Sequence, residues 1–234
     1  MRLSLETREI GRVTIVRCNG RIVTGSESES LRAHVAWLLH DRKSIVLHLG
    51  EVAFVDSSGL GTMVRTLTSV RQKGGDLKLC NVPEHTRKVL QMTNLNTLFD
   101  THESEESAVS AFYRKQAPAA QAAQTGVSIL CVNRNIDVLA YLRELLRRAG
   151  HDVHTSNNLP DSLILMRVTN FRLLVLGPDM TASPGAQQTF QTFCAKVPVL
   201  HIGEEFSGQE AGEAGSGLLE KIEACLKPSA GAAS

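Results

Sequence analysis

Two successive α/β units are predicted for this 234-residue chain, on three observations. Short β-patterned runs alternate with helix-patterned stretches along nearly the whole sequence. The alternation stops once, over residues 115–125, which are mostly Ala and Gln and offer almost nothing to a core. It then restarts as four strand–helix repeats in a row, the pattern of a doubly wound parallel sheet. We therefore expect a first domain over 1–114 with a mixed sheet packed on helices, a linker over 115–125, a second domain over 126–227 and a disordered tail over 228–234. Pro118 opposes a simple continuous helix through the linker, although Ala and Gln favour helix locally.

In the first domain, Val13-Thr14-Ile15-Val16 reads as a strand, and the chain turns through Gly20 into Ile22-Val23. Leu31, Val35, Leu38 and Leu39 then fall at helical spacing. Ile45-Val46-Leu47-His48-Leu49 suits a strand buried on both faces. A short strand, Ala53-Phe54-Val55, precedes a helix beginning near Gly59. Leu60, Met63, Val64 and Leu67 stripe that helix, and Gly74-Gly75 stop it. Leu77-Lys78-Leu79-Cys80 is a strand, and Pro83 starts a helix carrying Val89, Leu90 and Met92. A short strand and a helix follow. In the second domain the strands are 127–132, 151–155, 173–176 and 197–202. The first helix carries Ile136, Leu139, Leu142, Leu145, Leu146 and Ala149 and ends at Gly150; the others are 161–168, 187–195 and 218–226. Residues 203–217, rich in Gly and Glu, form a weaker segment.

Composition narrows the function classes. At 42% hydrophobic and 21% charged, the chain is an ordinary globular one. A formal net charge of +1 gives no global field to recruit nucleic acid or an acidic membrane, and 4% aromatics give no stacking platform for single strands. Five scattered cysteines (Cys18, Cys80, Cys131, Cys194, Cys225) include no C-x-x-C pair, so reduced, buried thiols are expected. Glu6 precedes any apolar stretch and no apolar run could span a bilayer, so a cytoplasmic protein is expected. No P-loop or G-x-G-x-x-G element opens a helix, and neither nucleotide nor other cofactor is expected. His151 and His154, three apart in a β-patterned run, point to opposite faces rather than to one metal. Gly25-Ser26-Glu27-Ser28-Glu29-Ser30 reads as a loop and helix cap, and His102-Glu103-Ser104-Glu105-Glu106 as a loop and acidic helix start.

The most informative segment is Val55-Asp56-Ser57-Ser58-Gly59-Leu60-Gly61, which joins a strand to an amphipathic helix. Asp56 or Ser57 can act as N-cap, accepting from the first free backbone N–H groups. Gly59 and Gly61 remove bulk, so the backbone or a partner can approach closely. Ser58 is expected in the first turn, exposed at the edge of the sheet. As four residues, Asp56 to Gly59 are accounted for by a capped helix start. The nucleophile-elbow pattern G-x-S-x-G is not met, because Asp56 and Leu60 stand two residues either side of Ser58, and no enzymatic activity is expected.

The wider stretch from Phe54 through Gly61 resembles the signature of STAS-domain anti-sigma factor antagonists, the sporulation-type regulators of bacterial partner switching. The likeness runs over residues 3–112 and includes the element order, Gly20-Arg21-Ile22, and Lys78-Leu79-Cys80-Asn81-Val82 before the third helix. It implies a small mixed sheet packed on helices and phosphorylation of the motif's second serine, here Ser58. It also implies a partner surface that includes Asp56, Ser57, Ser58, Gly59 and Gly61. The implied partner is an anti-sigma factor that is itself the serine kinase. It is bound while Ser58 is unphosphorylated and released afterwards, with a serine phosphatase to reset the switch.

Ile129-Leu130-Cys131-Val132 followed by Asn133-Arg134-Asn135, together with Phe171-Arg172-Leu173-Leu174-Val175-Leu176, resembles a response-regulator receiver over residues 127–226. That resemblance implies an acidic pair for Mg²⁺ after the first strand, where Asn133 and Arg134 stand. It implies an acceptor aspartate closing the third strand, where Gly177 stands, with Asp179 two residues later. Gly203 replaces the switch Thr/Ser. The fifth strand and its lysine are not recognisable, and Lys227 follows the last helix. A carboxyl-phosphate switch needs nucleophile, metal and lysine together, so the resemblance implies a pseudo-receiver, expected to serve docking or dimerisation. The alternatives are a response regulator phosphorylated on Asp179, and a scaffold in which Ser58 is never modified.

Overall fold

The computed structural model describes residues 2–120, 126–178, 180, 184–203 and 211–226. The chain divides into two compact units, 1–115 and 116–234, each built on its own sheet.

The first sheet has the order β1-β2-β3-β4-β5. β1 (Ser4–Ile10) and β2 (Val13–Ile22) form an antiparallel hairpin closed by Gly11-Arg12, with Gly11 at φ 59°. β3 (Ser44–Val55), β4 (Asp76–Cys80) and β5 (Asp100–His102) add in parallel, which makes the sheet mixed. The two strands expected at 13–16 and 22–23 are one strand, and Gly20 is no turn. β2 passes through Gly20 at φ 114° as a bulge, and its register against β3 shifts on both sides. A side chain there would meet the Arg2 backbone, with its carbonyl carbon 3.0 Å from the Cβ. The runs expected at 45–49 and 53–55 are likewise one strand, because the bulged β2 stays paired with β3 as far as Ile22 and Val55.

Both faces of this sheet are covered. Val16, Cys18, Leu47 and Leu79 point into a core shared with α1 (Ser26–Leu38), α2 (Ser57–Gln72) and α3 (Glu84–Met92) through Leu31, Met63, Leu67 and Leu90. Positions of the other parity, Arg17, His48 and Lys78, point toward α4 (Glu105–Ala120). There Glu105 takes Arg8, takes Arg17 at 3.1 Å and lies 3.9 Å from His48, while the Phe112 ring sits 5.0 Å from Lys78 Nζ. Met92 points away from the core its helix was expected to share. α4 runs to Ala120, so the opening of the expected linker is helical. Ala and Gln are good helix formers, and Pro118 falls in the last turn, where it removes one bond at the helix end. Residues 121–125 lie outside the described residues.

The second sheet has four parallel strands, β6 (Ser128–Val132), β7 (Asp152–Ser156), β8 (Leu173–Leu176) and β9 (Val199–His201), in the order β7-β6-β8-β9. They alternate with α5 (Ile136–Arg148), α6 (Leu159–Val168), α7 (Pro184–Cys194) and α8 (Ala211–Leu226), the winding of a doubly wound sheet. Ile129, Cys131, Leu142, Leu173, Val175 and Ile222 form its core. α8 begins at Ala211 rather than Leu218, inside the segment read as weak. Residues 204–210 and the tail lie outside the described residues. His154 is buried edge-on against Phe171, 3.1 Å from Asp152. Cys18, Cys80 and Cys131 are buried, and burial pushes each thiol up to about 12; Cys194 and Cys225 are partly exposed. No described helix is long and apolar enough to cross a membrane.

Candidate functional site

β3 passes the chain directly to α2, and Asp56 makes the join. Its backbone is extended (φ −87°, ψ 178°), and its Oδ1 accepts from Gly59 N–H at 2.6 Å. Its carbonyl accepts from Leu60 N–H at 2.9 Å, which makes Asp56 the cap and Ser57 the first helical residue. The sequence had left both open. Asp56 Oδ2 also accepts from Thr24 N–H at 3.0 Å and from Thr24 Oγ1 at 3.3 Å. The Gly59 amide first, then that of Thr24, hold this carboxyl below its ordinary range. The helix start is thus pinned to the loop before α1 by an anion.

Ser58 is the second helical residue and half-buried, and Ser57 beside it is exposed. Phe54, near the end of β3, is 52% exposed. Gly61 is half-buried, and a Cβ there would meet only the Arg65 guanidinium, at 3.7 Å. Gly59 departs from expectation because it is buried. A Cβ on Gly59 would lie 2.8 Å from the Ile22 carbonyl carbon and 3.1 Å from Val55 Cγ1. Gly59 therefore lets α2 seat on the end of β2 and opens no surface to a partner. Asp56, Ser57, Ser58 and Gly61 come together at the surface with Gly59 beneath them. Sequence reasoning missed Thr24 and Arg65, and read Phe54 as part of the motif without expecting its exposure. An exposed aromatic leaves no mark in a β-patterned run, and Thr24 lies too far along the chain. The i+7 spacing of Ser58 and Arg65 was a signal that could have been used.

The other candidate is the switch point of the second sheet, between the carboxyl ends of β6 and β8, where open α/β sheets hold ligands. Asn133 follows β6 and is 7% exposed; Gly177 follows β8 and donates its N–H to the Val132 carbonyl at 2.8 Å. Asn133 Oδ1 accepts from Asn135 N–H at 2.8 Å. A Cβ on residue 177 would lie 2.7 Å from Asn133 Cγ, with the amide nitrogen closer still. The Asn133 amide occupies the room that an acidic side chain at 177 would need. Asp179 lies outside the described residues.

Residues 4–108 match the family model of the STAS domain, which takes in the whole mixed sheet and the first turn of α4. The anti-sigma F factor antagonist of Paenibacillus polymyxa is 30% identical over 112 residues, 47% of this chain and 95% of its own. The anti-sigma-B factor antagonist of Bacillus subtilis is 32% identical over 79 residues, 34% of this chain and 72% of its own. A crystal structure of an anti-sigma factor antagonist from Mycobacterium paratuberculosis covers 47% of this chain and 92% of its own, at 20% identity and a TM-score of 0.42. Through its first unit, the chain belongs to the STAS-domain anti-sigma factor antagonists.

Proposed function

We propose that this chain is an antagonist that binds an anti-sigma factor through the surface around Ser58, and that phosphorylation of Ser58 dissolves the complex. The anti-sigma factor is itself the serine kinase, and a serine phosphatase restores the binding form. The observation that carries this reading is the setting of Ser58. It is a half-buried residue in the first turn of a helix whose start is held by Gly59 below and by the Asp56–Thr24 tie. A phosphate added there leaves the core undisturbed. It brings about −1.5 to −2 charges, two residues from Asp56, whose carboxyl is held below its ordinary range. A partner that covers Ser58 would have to desolvate that charge. A penalty of about 3 kcal/mol lowers affinity somewhat more than a hundredfold.

The test is to incubate the full chain with ATP and a candidate kinase partner and map the phosphate, which should fall on Ser58. Ser58→Ala should hold the kinase whether or not ATP is present. Ser58→Asp should bind it roughly a hundredfold more weakly, with unchanged circular dichroism. Phosphate on another residue, or equal binding by the two variants, overturns the reading. The second unit we read as a receiver-like docking or dimerisation module that raises the local concentration of the first. The Asn133 amide against Gly177 favours this over a response regulator phosphorylated on Asp179.

A further inference from the structure

Arg65 follows Ser58 by seven residues on α2, two turns and about 10 Å along the axis. Between them on that side lie Gly61 and Thr62. Helical side chains lean toward the N-terminus, and Arg65 does so. Its Nη1 and Nη2 both lie 3.7 Å from where a Gly61 Cβ would sit, and Nη2 donates to Thr62 Oγ1 at 3.3 Å. The guanidinium therefore already covers the turn next to Ser58, and Gly61 places no side chain in the lane between them. Among the described residues, that contact with a neutral hydroxyl is the only hydrogen bond Arg65 makes.

We propose that Arg65 is the internal counter-ion of phosphorylated Ser58, moving one turn along α2 across Gly61 to bind the phosphate oxygens. The inference rests on Ser58 being the modified residue. A phosphate at this place needs such a cation, because the cap position already holds an anion. Asp56 uses the Gly59 N–H, and its charge repels a dianion two residues away, so the helix terminus compensates only part of the added charge. An arginine–phosphate pair is charge-assisted and bidentate, whereas the Thr62 hydroxyl is a neutral acceptor, so the guanidinium transfers once phosphate is present. Phosphorylation then acts twice. It adds an anion, and it withdraws the exposed guanidinium from any partner carboxylate that met it beside Gly61.

The test uses the full chain with phosphoserine installed at position 58 during translation, followed by ³¹P NMR against pH. The second phosphate ionisation, ordinarily near 6, should lie about half a unit lower with Arg65 than in Arg65→Gln, roughly a threefold change in proton affinity. Arg65→Lys should fall between, and the gap should close in about 1 M salt. Equal midpoints with and without Arg65 overturn the proposal. Gly61→Leu fills the lane while keeping Arg65 and should titrate like Arg65→Gln; titration like the unsubstituted chain overturns the route across Gly61. Because the phosphoserine is installed, the two readings fail separately. A kinase that never modifies Ser58 removes the functional reading, whereas coincident midpoints in a chain whose Ser58 does control binding remove only the role of Arg65.

Discussion

Gly59 has no room for a methyl group, since Ile22 and Val55 atoms would stand 2.8 and 3.1 Å from it. Gly59→Ala must lift α2 off the end of β2 and should cost roughly 2–3 kcal/mol, as at other overpacked sites. Gly61→Ala meets only the tip of Arg65 and should gain about 0.5–1 kcal/mol from helix propensity. Urea midpoints moving in opposite directions would bear this out, and a common direction would contradict it. Asp56 adds a pH dependence. Its carboxyl lies below the unfolded value because Gly59 and Thr24 donate to it. Its contribution is therefore fully present above about pH 4 and is lost as pH falls through the folded value. Asp56→Asn should be less stable than the parent chain at neutral pH, and their urea midpoints should converge in acid. A constant gap would remove the charge from the account. That the motif opens a capped helix was legible in sequence, because it rests on neighbours in the chain, although the choice between Asp56 and Ser57 as cap was not. Neither was the division of labour between the two glycines. It depends on Ile22, which only the fold brings beneath α2.

Lys78 on β4 is 3% exposed, pairs with Asp100 on β5 and lies over the Phe112 ring of α4. The two partners of this pair are not equivalent, because the Asp100 side chain is 49% exposed. Lys78→Met keeps an apolar stem against Phe112 and leaves a carboxylate that water can solvate, so stability should change by less than about 1 kcal/mol. Asp100→Ala strands a buried ammonium and should cost about 3 kcal/mol. Chemical denaturation of the two variants tests the asymmetry, and equal losses would count against it. At this scale the helices were legible wherever apolar residues recur at helical spacing, as in α2 and α5. β1 was missed because it is an edge strand with mostly exposed side chains, and its pattern carries little burial signal. Gly20 looked like a turn because a bulge and a turn ask the same backbone freedom of glycine. In each case the strand's neighbour decides, and a single sequence does not display it.

The four strand–helix repeats of the second unit were legible as a whole, since a buried parallel strand is a continuous apolar run and its helix restores the polar face. What occupies the sheet's switch point was only half legible. The sequence showed the neutral residues Asn133 and Gly177, but not that one fills the space of the other. That contact makes a prediction about the molecule's capacity to signal. In Gly177→Asp the new side chain has to displace the Asn133 amide, whose Cγ lies 2.7 Å from the added Cβ and whose Oδ1 holds the Asn135 N–H before α5. The variant should lose roughly 1–3 kcal/mol, and Asn133→Ala in the same chain should recover part of that by vacating the space, a coupling that a double-mutant cycle reads directly. Additive effects would mean the two positions do not compete. The unsubstituted full chain, given acetyl phosphate and Mg²⁺, should gain no hydroxylamine-labile phosphate, because no carboxylate reaches the filled switch point from residue 133 or 177. An acyl phosphate mapped to Asp179 would give the second unit a signalling role of its own.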